Sequence, residues 1–285
     1  MAALSVDRLR QAPARSWLFV PATQPQRFAK AAASGADRVI IDLEDAVAAQ
    51  AKDESRQALL AQPLPQTVPL YLRLNSFDSP WFEADLAVAA TLPLAGVMLP
   101  KAERLEHLAL LAASLPETLA IVALVETAAG LWQARDLARC PRLERLAFGA
   151  IDFQGDTGMQ CGEGEAELDH ARSQLVIASR VAGIAAPVDS PSLSIDDTAR
   201  LEQDARRSRR FGFAGKLCIH PRQLATVHSA YLPSPAEVAW ARGLLAALAQ
   251  RPEAERGAFA YDGAMVDRPV IDRARAILAR AGGER

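Results

Sequence analysis

Leu119–Val125 reads LAIVALV, seven apolar residues in a row with no polar alternation. A strand wetted on one face alternates. An unbroken run belongs to a strand covered on both faces, as in a parallel sheet. The residues that follow change period. Glu126 ends the run, and Thr127 to Arg139 has the length and pattern of a helix. Cys140 and Pro141 stop it.

The same unit recurs on both sides. Apolar runs stand at Ser16–Pro21 (SWLFVP), Arg38–Leu43 (RVIIDL), Pro69–Leu74 (PLYLRL) and Gly96–Pro100 (GVMLP). Beyond LAIVALV come Arg145–Gly149 (RLAFG), Gly183–Val188 (GIAAPV) and Gly215–Ile219 (GKLCI). Helical stretches separate them, among them Gln26 to Ser34 before Gly35, Glu103 to Leu115 before Pro116, and Leu168 to Ala182 before Gly183. Strand alternating with helix implies right-handed βαβ units and a parallel sheet. Eight such units in about 220 residues predict an α/β fold, a closed (β/α)8 TIM barrel. An open doubly wound sheet would bring a Gly-rich turn after the first strand, and Ala22-Thr23-Gln24-Pro25 is not one. The only G-x-G, Gly162-Glu163-Gly164, follows no predicted strand and reads as a loop.

The 285 residues exceed what one barrel needs. Residues 1–14 read as an N-terminal leader with a short helix, and residues 15–232 as the barrel. Leu232-Pro233-Ser234-Pro235 is a stop. Residues 233–285 follow as a helical arm or lid, with helices predicted over 236–250 and 268–281. Half the residues are hydrophobic and 23% are charged, which excludes disordered, collagen-like and low-complexity chains. The net charge of −2 offers no basic surplus for nucleic acid or an anionic membrane. No apolar run approaches the roughly 20 residues that span a bilayer. Three cysteines without a C-x-x-C spacing fit reduced thiols and a cytoplasmic setting. Four histidines show no zinc spacing.

In such a barrel the chemistry sits where the strands end. The predicted strand ends carry Asp42, Glu44 and Asp45, then Arg73 and Asn75, then Lys101 and Glu103. Glu126, Asp152 and Asp189 follow, and Lys216 and His220 bracket the last strand. Acids at helix starts are ordinary caps. Arg73, Lys101 and Lys216 are cations near helix starts, where the dipole disfavours them, and an anionic substrate would explain that. Glu126 and Asp152 follow adjacent strands. They read either as carboxylates converging on Mg2+, or as a first-turn acid and a cap.

Seven ordered motifs resemble those of the citrate lyase β-subunit family, which includes malyl-CoA and related acyl-CoA lyases. They are RSWLFVP (Arg15–Pro21), VIIDLEDAV (Val39–Val47), LRLN (Leu72–Asn75), LPKAE (Leu99–Glu103), VETAAGL (Val125–Leu131), FGAIDF (Phe148–Phe153) and GKLCIHP (Gly215–Pro221). The resemblance spans residues 15–283. It implies a TIM barrel, Mg2+ dependence, and reversible cleavage of a carbon–carbon bond in a 3-hydroxyacyl-CoA thioester. By the same resemblance, Glu126 and Asp152 match the metal ligands and Arg73 the residue that holds a substrate carboxylate. Glu44 and Asp45 match acids that orient metal-bound waters. Arg27 and Lys30 fall where related lyases contact CoA phosphates, and Lys101 matches a substrate-side motif position. Asp267 matches an arm aspartate that reaches a neighbour's active site and serves the proton step. It also reads as the N-cap of the last helix, with Pro269 in its first turn. The resemblance thus implies a homo-oligomer, trimer or hexamer, acting on an acyl-CoA or oxo-acid substrate. The loop after the first strand departs from the family in reading Pro21-Ala22-Thr23 without the usual glycine. The Phe153–Gly158 stretch, read as a loop, departs too.

Three further readings compete. A metal-dependent 2-oxo acid aldolase working without CoA usually carries a histidine where Asp45 stands. An acyl-CoA thioester hydrolase shares the chemistry up to the enolate. A non-catalytic scaffold on a lyase fold would have damaged metal ligands, and Glu126 and Asp152 are both intact.

Overall fold

The computed structural model describes residues 5–12, 14–251 and 257–281. Of the predicted leader, residues 1–4 and 13 lie outside them, as do residues 252–256 and 282–285 of the predicted arm. Contacts divide the chain into two compact units, meeting between His228 and Ser229.

In the first unit the elements run α1 (Val6–Gln11), β1 (Ser16–Pro21), α2 (Phe28–Ala32), β2 (Arg38–Asp42), α3 (Lys52–Leu60), β3 (Leu70–Arg73) and α4 (Phe82–Ala89). They continue with β4 (Gly96–Leu99), α5 (Leu105–Ser114), β5 (Ala120–Val125), α6 (Ala128–Leu137), β6 (Leu143–Phe148) and α7 (Ala150–Thr157). Then come α8 (Asp169–Ala182), β7 (Val188–Asp189), α9 (Thr198–Phe211) and β8 (Gly215–Cys218), and α10 (Leu224–Tyr231) spans the boundary between the units. All eight strands pair in parallel, each with its sequence neighbour, and β8 pairs back with β1 to close the barrel. The predicted (β/α)8 architecture is the one observed.

The apolar runs become strands because helices cover one face and the barrel interior the other. Every residue of β2, β4, β5 and β6 is buried. Trp17, Ile40, Tyr71, Met98, Val122, Leu124, Ala147, Val188 and Leu217 form one core cluster. Leu9 of α1 joins it with no exposed surface, and Arg10 ties α1 to β6 through the Leu143 carbonyl at 2.7 Å. Each buried side chain of this kind is worth roughly 1.5–3 kcal/mol of burial.

Three sequence expectations need correction. The seventh strand, expected over Gly183–Val188, is only Val188–Asp189. Gly183 instead ends α8 in the left-handed region (φ 69°), its amide bonded back to the last turn, and the chain then runs irregularly to Val188. The stretch after Asp152, expected as a loop, is α7, which Gly158 terminates at φ 72°. Its predecessor RLAFG grows backward to Leu143, where a register shift against β5 admits an extra residue.

The second unit has α11 (Pro235–Ala249), a two-stranded ribbon of β9 (Phe259–Tyr261) and β10 (Ala264–Val266), and α12 (Arg268–Ala281). Ser234 and Glu237 form a capping box at the start of α11. Leu244, Leu248, Val266, Ile271 and Ile277 make its own small core.

Gly215 sits at the seam where β8 meets β1. A Cβ there would lie 2.7 Å from the Arg15 carbonyl oxygen and against the Ala14 carbonyl, both backbone atoms that cannot turn aside. Gly215→Ala is therefore expected to cost about 3 kcal/mol in chemical denaturation. A stability equal to that of the parent chain would refute this account of the seam.

Candidate active site at the barrel mouth

Strand geometry builds the site. Side chains alternate along a strand, so the residue two beyond an inward one also faces inward. Ile40, Tyr71 and Leu124 are inward, which places Asp42, Arg73 and Glu126 at the rim. These three line one cavity of about 380 Å³ with Asp45, Asp152, Ser190, Phe19, Leu217 and Ile219.

The charged groups are interlocked. Arg73 holds Asp42 bidentately, from Nε at 2.7 Å and Nη2 at 2.6 Å, and reaches Glu44 from Nη1 at 2.8 Å. Phe19 lies under the guanidinium at 4.9 Å. Lys101 Nζ donates to Glu44 at 2.6 Å and stands 3.9 Å from Glu126. Lys101 itself is left-handed (φ 48°), a conformation rare outside glycine. That turn aims its backbone N–H at Glu126 Oε1, 2.8 Å away.

Glu126 is 2% exposed. Burial, and then the charge of Glu44, push its carboxyl up to about 8, with Asp152 adding to the rise against the pull of Lys101. Glu44 is also raised, chiefly by burial. The mouth therefore holds more carboxylate than its two cations balance. Among the described residues, no group of three or more His, Cys, Asp or Glu side chains surrounds a metal position. Two hard oxygen donors in a cavity with room for water suit Mg2+, which keeps several waters. Gly149 makes room for the first donor, because a Cβ there would stand 2.6 Å from both Cβ and Oε2 of Glu126.

The structure brings Glu44, Asp45, Arg73, Lys101, Glu126 and Asp152 together, with Asp45 and Asp152 exposed at the rim. Arg27 and Lys30, in the turn and helix after β1, are exposed and lie outside the cavity lining. Asp267 belongs to the second unit. Its Oδ1 accepts from the Val270 N–H at 3.4 Å and its carbonyl from Ile271, so it caps α12. His220 caps the turn after β8 through Nδ1. Lys216, expected to answer an anionic substrate, is not among the residues lining the mouth cavity and lines a neighbouring one instead. Its ammonium donates to the Ser190 carbonyl at 2.6 Å near Asp189 and Asp204. Cys218 is buried, which pushes its thiol up to about 12. Asp42 was read from sequence as a strand-end residue and given no role there. The alternation that makes Ile40 inward was the signal for it.

The raised carboxyl has a measurable consequence. Between the ordinary carboxylate range and about pH 8, metal-free folded protein keeps a proton on Glu126 that the unfolded chain has released. The stability contributed by this group is full at low pH and is lost as pH rises through 8. Mg2+ binding at pH 7 should release about one proton and tighten as pH rises to 8. Calorimetry in buffers of different ionisation enthalpy reads this directly, and pH-independent binding would contradict it. Gly149→Ala should weaken Mg2+ binding about 10- to 100-fold, the range seen when a ligand's support is removed.

Residues 15–221 match the HpcH/HpaI aldolase/citrate lyase family. A citrate lyase subunit beta-like protein of Deinococcus radiodurans is 38% identical, over 93% of this chain and 96% of that protein. A (3S)-malyl-CoA thioesterase of Cereibacter sphaeroides is 32% identical, over 94% and 95%. The structure of protein CitE from Mycobacterium tuberculosis with magnesium, acetoacetate and coenzyme A superposes with a TM-score of 0.85. It is 38% identical, over 95% of this chain and 99% of that one. Barrel, mouth and sequence agree, and the chain belongs to the HpcH/HpaI aldolase/citrate lyase family.

Proposed function

We propose that the chain is a Mg2+-dependent carbon–carbon lyase that cleaves a 3-hydroxyacyl-CoA thioester into an acyl-CoA and a 2-oxo acid, or condenses them in reverse. The convergence of Glu126 and Asp152 with Arg73 in one cavity carries this reading. Relatives named citramalyl-CoA lyase and citrate lyase subunit beta support it. Glu126 and Asp152 would hold Mg2+, which supplies Lewis acidity and a template for the oxo-acid oxygens.

The remaining roles follow from this chain's own side chains. Arg73 commits three of its five N–H donors to Asp42 and Glu44, which fixes its plane. Two donors remain for a substrate carboxylate. Lys101 neutralises Glu44 and steadies Glu126, and sits at the edge where the substrate's acid end would lie. Glu44 and Asp45 accept hydrogen bonds from water at the mouth. Arg27 and Lys30, exposed one turn apart beyond β1, would meet the CoA phosphates. Asp267 would protonate the departing thioester enolate from a neighbouring subunit, in a cytoplasmic trimer or hexamer. Its capping bond uses one carboxylate oxygen, and among the described residues the other has no hydrogen-bond partner.

Asp267→Ala should leave Mg2+ binding unchanged and lower turnover about 100- to 10,000-fold, the range for lost general acid–base catalysis. Glu126→Gln should abolish Mg2+ binding. Co-assembled with Asp267→Ala, it should regain activity that neither variant has alone, because intact residues from two subunits then share a site. No recovery in mixed oligomers would rule out the arrangement across subunits. Following acetyl-CoA and free CoA separately distinguishes the lyase from a thioester hydrolase.

A further inference from the structure

The loop that carries Glu44 leaves β2 just where its ladder ends. Leu43 N–H still bonds to Arg73 O, and Glu44 N–H is taken by the Asp42 side chain at 2.9 Å. The carbonyls of Leu43 and Glu44 turn the other way, into a buried polar pocket. There Lys52 Nζ donates to Leu43 O at 2.8 Å, to Glu44 O at 3.0 Å and to Asn75 Oδ1 at 2.5 Å. Asn75 Nδ2 donates to Leu43 O at 3.1 Å and to Asp85 at 2.7 Å. Asp85, wholly buried, also accepts from Asn75 N–H and from Arg56, each at 2.7 Å. Trp81 covers the ammonium at 4.9 Å.

We infer that Lys52, aligned by Asn75 and Asp85, is a positioning residue that sets the place of Glu44 and through it the posture of Arg73 and Lys101. An ammonium has three donors, and all three are spent on the loop and on Asn75, so Lys52 has none to offer a substrate. It is 5% exposed and outside the cavity lining. It is also the first residue of α3, where the helix dipole disfavours a cation, so local helix energetics do not explain it. Glu44 is the shared partner of Arg73 and Lys101, and its charge acts on Glu126. A shift of the 43–44 backbone would therefore loosen both cations of the mouth together.

The inference rests on the lyase reading for its kinetic arm alone. Lys52→Met keeps the stem and removes the three donors. In metal-free protein it should speed amide hydrogen exchange at Leu43, Glu44 and Val47, and leave β5 and β6 unchanged. It should lower kcat/KM about 10- to 100-fold. Combined with Glu44→Gln, it should cost less than a further twofold, because both changes act through one carboxylate. Additive losses, or unchanged exchange at the 43–47 loop, would overturn the inference. If Lys52→Met does not fold, Asn75→Ser carries the same cycle with the same two criteria. If no thioester is turned over by the parent chain, the exchange measurement still decides for or against Lys52.

Discussion

Eight parallel strands closed into a ring must share one small opening, and every inward side chain at a strand end competes for it. The ring shuts only because β8 comes flush against β1, with Lys216 N–H bonded to Arg15 O and no side chain at Gly215 to hold the two apart. From that closure follows the crowding of Asp42, Arg73, Glu126 and Asp152 around a single cavity. Like charges packed this closely in a low-dielectric rim repel strongly, so the sequence must provide counter-charges at fixed points. Arg73 and Lys101 are those points. Their geometry is set by carboxylates, not by substrate, before any ligand arrives.

The balance is deliberately incomplete. Asp42 is matched by Arg73 and Glu44 by Lys101, while Glu126 sits buried beside them with a raised carboxyl. A dication completes such a set, and a proton takes its place in the metal-free protein. The left-handed Lys101 is the cost at the backbone level of aiming one amide at Glu126 while the side chain of the same residue reaches Glu44.

Much of this was legible in the residues. LAIVALV and its seven counterparts located the barrel because burial on both faces removes polar alternation. Glu126 and Arg73 were legible because each directly follows or closes such a run, and Asp152 because it stands three residues beyond one. What escaped had tertiary causes. The seventh strand is two residues long because the irregular path from Gly183 to Val188 needs no ladder. The α7 stretch looked like a loop because Gly155 and Asp156 are poor helix formers, and packing of Phe153 against Phe148 outweighs them. Lys52 and Asp85 lie 33 residues apart in sequence, and only the folding of α3 and α4 against the end of β2 brings them into one network.

Arg73, Lys101 and Lys216 were read as answers to an anionic substrate, and the structure, which adds Lys52, separates these cations into two kinds. Where parallel strands end, carbonyl groups lose their ladder partners and need other donors. Lys52 supplies donors to Leu43 O and Glu44 O at the end of β2, and Lys216 supplies one to Ser190 O just beyond β7. An ammonium fits this task better than a guanidinium, since three compact donors can turn to carbonyls in different directions. Both lysines are buried and both are flanked by carboxylates that offset the burial of their charge, Asp85 for one, Asp189 and Asp204 for the other. Arg73 and Lys101 differ in that their partners are side-chain carboxylates of the mouth. Fork geometry and partial exposure leave them able to meet a ligand. Of the four, only Lys52 stands at a helix start; Arg73 ends β3, Lys101 lies between β4 and α5, and Lys216 is inside β8. The kind of acceptor each one faces is what tells scaffold from site.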